Sequence, residues 1–190
     1  MSKEKINLYD FDGTIYKGHS SIDFFAFCIA RYPKILKYVP KNLVDLYKIK
    51  KHILNLQYSR TNYCEFLQDI DDIDSLVEEF WRLHRHKIKP WYLERKKEND
   101  VIITASPLFL VKYICDDLGI HNLIASDIDK KTGKVVGSYC FNGEKIKIFN
   151  HAYPDAEVEA CYTDNVVHDA PLLSLAKNKY HVIGDKIVKL

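Results

Sequence analysis

The sequence predicts an α/β fold: a Rossmann-like three-layer core around a parallel sheet, with an inserted α-helical cap. Three observations predict it. A short apolar strand, Ile6 to Asp10, opens the chain and ends abruptly in Asp10-Phe11-Asp12-Gly13-Thr14. Its natural neighbours, short apolar runs alternating with helical ones, return only after Asp100. In between, from Ser20 to Lys89, apolar residues recur three and four apart, glycines are few, and Pro33, Pro40 and Pro90 interrupt the pattern, which is the texture of successive helices. Residues 1–13 and 101–190 are therefore assigned to the core and 14–100 to the cap.

The core elements follow in order. Val101 to Ile103 reads as a strand, and Ser106 and Pro107 suit the N-cap and first position of a helix running to Leu118. Leu123 to Ala125 is a third strand. Asp127 to Ile128 and Val135 to Phe141 flank Lys130-Lys131-Thr132-Gly133 and predict a hairpin on the sheet's edge. A helical stretch opens near Lys145, a strand spans Glu159 to Tyr162, a helix passes through Pro171 and Leu172, and His181 to Ile183 is the last strand.

Composition sets limits on function. With 190 residues, 47% of them hydrophobic, the chain can bury a real core and is no disordered tail. The 28 basic and 26 acidic residues give +2, too little excess for a protein that tracks nucleic-acid phosphates. Five cysteines without a C-x-x-C pattern suggest neither a disulfide framework nor a zinc site, and a reducing cytoplasm fits them best. Ile22 to Ala30, broken by Asp23, is too short to span a membrane. The small total also hides a division: the core holds 12 bases and 14 acids, the cap 16 and 12. Within the cap, Arg31 to Lys51 carries seven bases and Glu65 to Glu79 seven acids. These read first as solvated helix faces that pair with one another, and second as a basic, tyrosine-rich surface for an anionic substrate or membrane. His84 and His86 are expected to point apart on a helix among basic neighbours, away from any metal.

The chemistry is concentrated at strand ends. Asp10 and Asp12, two carboxylates one residue apart after a buried strand, are costly to hold together without a cation and so predict Mg²⁺. The pattern D-x-D-G-T arises by chance on the order of 10⁻³ times in such a chain. Thr104-Ala105-Ser106-Pro107 places a hydroxyl and a helix start after the second strand, an arrangement for an anion. Tyr162-Thr163-Asp164 and His168-Asp169 place two more carboxylates after a later strand, where Asp169 could equally cap the next helix. Lys145 taken alone reads as a solvated charge.

In this order, Asp10-x-Asp12-Gly13-Thr14, Thr104, Lys145 and the pair Asp164 and Asp169 resemble the four motifs of the haloacid dehalogenase (HAD) superfamily. The insertion after the first motif is similar to its C1-type cap. Thr104-Ala105-Ser106-Pro107, Leu118-Gly119-Ile120 and Gly143-Glu144-Lys145 resemble the subgroup, subfamily IB, that includes phosphoserine phosphatases. The resemblance implies an Mg²⁺-dependent phosphatase acting on a small phosphorylated metabolite through an aspartyl-phosphate. Asp10 would be the nucleophile and Asp12 the acid and base. Thr104, Ala105 and Lys145 would bind phosphate, and Asp10, Asp12 (through its carbonyl) and Asp164 would hold the metal. Asp169 would stand behind them, orienting a metal water or Lys145. A phosphotransferase, a lipid-phosphate phosphatase and a non-catalytic binding module are the alternatives on this fold. The chain departs from the phosphoserine pattern at His19, where an acidic residue binds the substrate ammonium, and at Ala105-Ser106-Pro107, which replaces a glycine pair. It also has four residues rather than three between Asp164 and Asp169. The first two departures point away from phosphoserine.

Overall fold

The strand that opens the sequence ends up at the middle of the sheet. In a computed structural model that describes residues 5–50, 64–141 and 143–190, β1 (Lys5–Tyr9) lies between β2 (Val101–Pro107) and β4 (Glu157–Thr163). With β3 (Asn122–Ser126), β5 (Asn178–Ile183) and β6 (Lys186–Lys189), the order is β3-β2-β1-β4-β5-β6. All pairings are parallel except β5 with β6. Tyr9 is level with Ile102 on one side and Tyr162 on the other, so the residues following each strand emerge at one edge. Connections depart in opposite directions on either side of β1, and the resulting crevice at the carboxyl ends is where α/β sheets bind ligands.

Alternation along β1 feeds two apolar layers. Ile6 and Leu8 join Phe149 of α6 (Gly143–Ala152) and Leu172 of α7 (Ala170–Leu173). Tyr9 and the following Phe11 join Leu110, Val111 and Ile114 of α5 (Leu108–Asp117) on the other face. Buried on both sides, the strand needs an almost continuous apolar run.

The insertion contributes α1 (Ser20–Arg31), α2 (Val39–Lys50), α3 (Ile73–His84) and α4 (Pro90–Arg95), with 3₁₀ turns at Pro33–Tyr38, Glu65–Asp69 and Arg85–Lys87. Asp72 caps α3 by accepting the Ser75 amide at 3.0 Å, and Ile73, Leu76, Val77, Phe80 and Trp81 form its buried stripe. That stripe packs into the same cluster as α5, and Trp81 Nε1 donates to the Leu110 carbonyl at 2.7 Å. The helices of the insertion are thus tied to the core by apolar contact. Its two ends also pair: the Lys17 amide donates to Lys87 and the Lys89 amide to Ile15, each at 2.8 Å.

Several sequence expectations change. Strand β2 runs through Pro107, so Ser106 caps nothing and Pro107 is the N-cap of a helix starting at Leu108. The predicted edge hairpin forms no strands of the sheet; it is a loop joined by an Ile128–Val135 bridge. Its turn packs on the insertion, where a Cβ on Gly133 would lie 1.9 Å from the Cys64 carbonyl oxygen and where Lys130 pairs with Asp74 at 2.6 Å. His84 and His86 do not point apart: α3 ends at His84, and the 3₁₀ turn that follows brings the rings to 6.5 Å. The basic and acidic stretches do pair, through Arg31–Glu79 at 2.6 Å, Lys37–Asp69 at 2.8 Å and Lys41–Glu65. Lys51 and Asn142, and the side chain of Lys50, lie outside the described residues. All five cysteines are buried and none is joined in a disulfide. Among the described residues no helix is long and apolar enough to cross a membrane.

Candidate active site

Four segments from distant parts of the sequence meet at the carboxyl ends of β1, β2 and β4. Asp10 follows β1, and its amide donates to the Tyr162 carbonyl at 2.9 Å, which fixes the strand end against β4. Lys145, from the first turn of α6, is buried and extends its ammonium to Asp10 Oδ1 at 2.8 Å and Asp169 Oδ1 at 2.9 Å. Asp169 uses its other oxygen to accept the Thr163 hydroxyl at 2.7 Å. It sits at the N-cap position of α7, but its side chain makes no capping bond, because both oxygens are committed here. The solvated reading of Lys145 is therefore replaced by a buried bridge between two carboxylates.

Burial pushes the Asp10 carboxyl up to about 7, against the pull of Lys145 and with the help of Asp169. Burial alone would lower Lys145, yet Asp10 and Asp169 hold it above its ordinary range. Lys145 is thus a fixed cation, aimed at the oxygen of a carboxylate that the interior would rather keep neutral.

Asp12 turns towards the insertion. Its Oδ1 accepts the Ser20 amide at 2.6 Å, capping α1 from outside the helix, and its Oδ2 accepts the Ser106 hydroxyl at 2.5 Å. His19 and Ser20 are the N-cap and first residue of α1. Thr104 is buried in β2, and its hydroxyl accepts the Ser106 amide at 3.1 Å; Ala105 follows, half-buried.

Asp164 follows β4 and is positioned by backbone contacts. Its amide donates to the Thr14 hydroxyl at 2.8 Å, and its carbonyl accepts from His181 Nε2 at 3.0 Å. Burial raises the Asp164 carboxyl, while His19 pulls it down. Gly13 makes this packing feasible. Its φ is +76°, and a Cβ there would sit 2.1 Å from Asp164 Oδ2. Gly13→Ala is expected to cost about 1–2 kcal/mol in urea unfolding from the left-handed backbone alone, and to displace the Asp164 carboxylate as well.

Two further residues had no signal in the sequence. Lys89, buried just before α4, donates to the carbonyls of Gly13 and Gly184, the latter at 2.6 Å, and so ties the end of the insertion to the Asp12-Gly13 turn. Burial lowers its ammonium, with Asp185 and Asp164 opposing. His181 is the other. Both line a cavity of about 440 Å³ that also borders Gly13, Asp164, Lys17 and Gly184. Nothing in an isolated Lys-Pro or in one histidine on a strand announces such a place.

The sequence model of the haloacid dehalogenase-like hydrolases matches residues 8–174 of this chain. No curated protein matches it significantly. Among solved structures, a protein of unknown function from Bordetella pertussis Tohama I is similar with a TM-score of 0.77 at 19% identity, over 94% of this chain and 89% of that one. A phosphoserine phosphohydrolase-like protein from Francisella tularensis subsp. tularensis SCHU S4 gives 0.59 at 17% identity, over 94% and 86%. A phosphoserine phosphatase, in a phospho-aspartyl intermediate analogue structure, gives 0.53 at 18% identity, over 94% and 86%. At these identities the likeness is one of fold.

Proposed function

From the premise that the chain belongs to the haloacid dehalogenase-like hydrolases, we propose that it is an Mg²⁺-dependent phosphatase hydrolysing a small phosphomonoester through an aspartyl-phosphate on Asp10. The observation that carries this reading is the buried chain Asp10–Lys145–Asp169–Thr163 at the end of β1. A structural ion pair would gain little from burying three charges, whereas a phosphoryl-transfer site needs a fixed cation beside a carboxylate nucleophile.

In the first displacement an Asp10 oxygen bonds to phosphorus as the bond from phosphorus to the leaving oxygen breaks, and Asp12 gives that oxygen its proton. In the second, water bonds to phosphorus, the Asp10–phosphorus link breaks, and the proton of the water goes to Asp12. Asp12 thus ends each cycle as it began. Lys145 and the Thr104 and Ala105 segment bind the phosphoryl oxygens, and Asp169 holds Lys145 in line. Residues 14–100 act as the cap, whose two ends pair through Tyr16 and Ile88 next to the Asp12–Tyr16 bridge.

Among the described residues no three His, Cys, Asp or Glu side chains converge as a metal cluster. Gly13 leaves room for the Asp164 carboxylate, and with the Asp10 carboxylate and the Asp12 carbonyl it would supply a set of hard oxygen donors. That set suits Mg²⁺, which binds through one or two carboxylates and keeps several waters. When bound it neutralises charge on the transferring group. Lipid phosphates are the weaker substrate class, because Arg31, Lys37 and Lys41 of the basic stretch are matched by acids within the cap.

The purified protein with Mg²⁺ is expected to release phosphate from p-nitrophenyl phosphate, to stop when EDTA is in excess, and to recover when Mg²⁺ is restored. Turnover that persists in EDTA would overturn the metal assignment. Absence of phosphate release from this ester and from a panel of phosphorylated metabolites would overturn the activity.

A further inference from the structure

Ser106 looks like a helix cap in the sequence and is used for something else. It is 5% exposed, and its hydroxyl lies 2.5 Å from Asp12 Oδ2, 2.7 Å from Ser21 Oγ and 3.3 Å from Ser20 Oγ. The other Asp12 oxygen accepts the Ser20 amide at 2.6 Å. The carboxyl of Asp12 is therefore held at both oxygens, by two partners of different kinds.

The difference decides where a proton can sit. A backbone N–H only donates, so it favours Oδ1 as the unprotonated oxygen of Asp12 whatever the state of the acid. The proton then belongs to Oδ2. A hydroxyl, in contrast, can rotate. When Asp12 is the acid, the Ser106 hydrogen has an alternative acceptor in Ser21 Oγ, 2.7 Å away. When Oδ2 has given its proton to the leaving oxygen, the same hydrogen turns back and donates to the new carboxylate. The bond to Oδ2 is strongest as the proton departs, and an interaction that strengthens along the reaction lowers the barrier, unlike one that is equal throughout.

We propose that Ser106, backed by Ser21, is a positioning residue that keeps Asp12 Oδ2 as the proton-carrying oxygen and stabilises it as the leaving group departs. This rests on the reading of Asp12 as the acid of the phosphatase and adds two residues from outside its four motifs' charged set: Ser106 from β2 and Ser21 from α1. Because Ser20 and Ser21 belong to the insertion, the acid is completed only when α1 is seated against β2.

The test is the dependence on leaving group. The kcat/KM value reports the first displacement alone, in which an alkoxide must be protonated and a p-nitrophenolate need not be. With Mg²⁺ present, Ser106→Ala is expected to lower kcat/KM on glycerol 2-phosphate about 30-fold more than on p-nitrophenyl phosphate, less than the roughly 10²–10⁴-fold of a general acid itself, because the acid remains. Asp12→Asn should show the same split, larger. Ser21→Ala should show it at about threefold, and it carries the test if Ser106→Ala does not fold, since a structural defect lowers both esters alike. An equal loss on the two esters for Ser106→Ala or Ser21→Ala, with the split intact in Asp12→Asn, would overturn this assignment and leave the phosphatase standing. A wild-type protein inert on both esters, or Asp12→Asn without a split, would instead remove the underlying reading.

Discussion

Asp10→Asn is expected to lower phosphate release from p-nitrophenyl phosphate by about 10⁴-fold or more, since removing an attacking group takes away the covalent route altogether. The fold should tolerate it. The amide oxygen can still accept from Lys145, and Lys145 keeps its contact with Asp169. In EDTA the variant should even gain stability relative to the wild type, in a pH-dependent way. The Asp10 carboxyl is raised by burial to about 7, above its ordinary value of 3.8, so between those values the native protein holds a proton that the unfolded chain has released. Wild-type stability therefore falls as pH rises through that window, and the penalty is complete above pH 7. Asparagine cannot ionise and escapes it. Urea unfolding in EDTA should show the two proteins nearest at pH 4 and the variant pulling ahead by pH 8. A variant with full turnover would end the mechanism, and a stability gap independent of pH would end the account of the buried charge. On the proposed mechanism Asp10 would be a nucleophile that destabilises its own fold, the trade-off between stability and activity expected of a functional site.

The sequence disclosed this site unevenly, for a physical reason. Asp10, Asp12 and Gly13 are contiguous, and two carboxylates beside a turn glycine after a buried strand can be recognised without knowing what else is near. Parallel pairing of β1 with β2 and β4 then follows from apolar runs that recur only after residue 100, so the core was largely legible. Lys145 was not, because its meaning lies in partners 135 and 24 residues away along the chain. Only the resemblance gave it a role. Ser106 shows how local rules mislead: a serine before a proline favours capping, but continued pairing of Pro107 with Ser126 extended β2 and freed the hydroxyl for Asp12. At Gly133 the turn chemistry was right and the strands wrong, since the loop gains its stability from the insertion rather than from the sheet. The failures cluster where the insertion touches the core, where tertiary contact outweighs local preference.

Lys145→Met is the variant expected to damage stability most. The side chain is 6% exposed, and its removal leaves Asp10 and Asp169 facing each other without the cation between them. Breaking a buried pair in this way costs about 3–5 kcal/mol, more than the attraction itself, because the remaining charges keep their desolvation penalty. The lysine is not the source of any pH dependence near neutrality: its folded value is raised above 10.5, so its contribution is fully present below that pH and is lost only in strong alkali. Asp10 is. Without Lys145 the Asp10 carboxyl, already raised to about 7, loses the cation that pulls it down, so the deficit of the variant should be largest at pH 8 and shrink as acid neutralises Asp10. Urea unfolding of both proteins in EDTA at pH 5 and pH 8 measures this directly. At pH 8 with Mg²⁺, kcat/KM should also fall by about 10²–10³-fold, the usual effect of losing one fixed donor to a charged transition state. The two readouts separate the roles of the residue. A loss of stability with normal turnover would make Lys145 a structural counter-ion only, and a loss of turnover with an unchanged unfolding curve would mean that Asp10 and Asp169 do not need it to stay buried together.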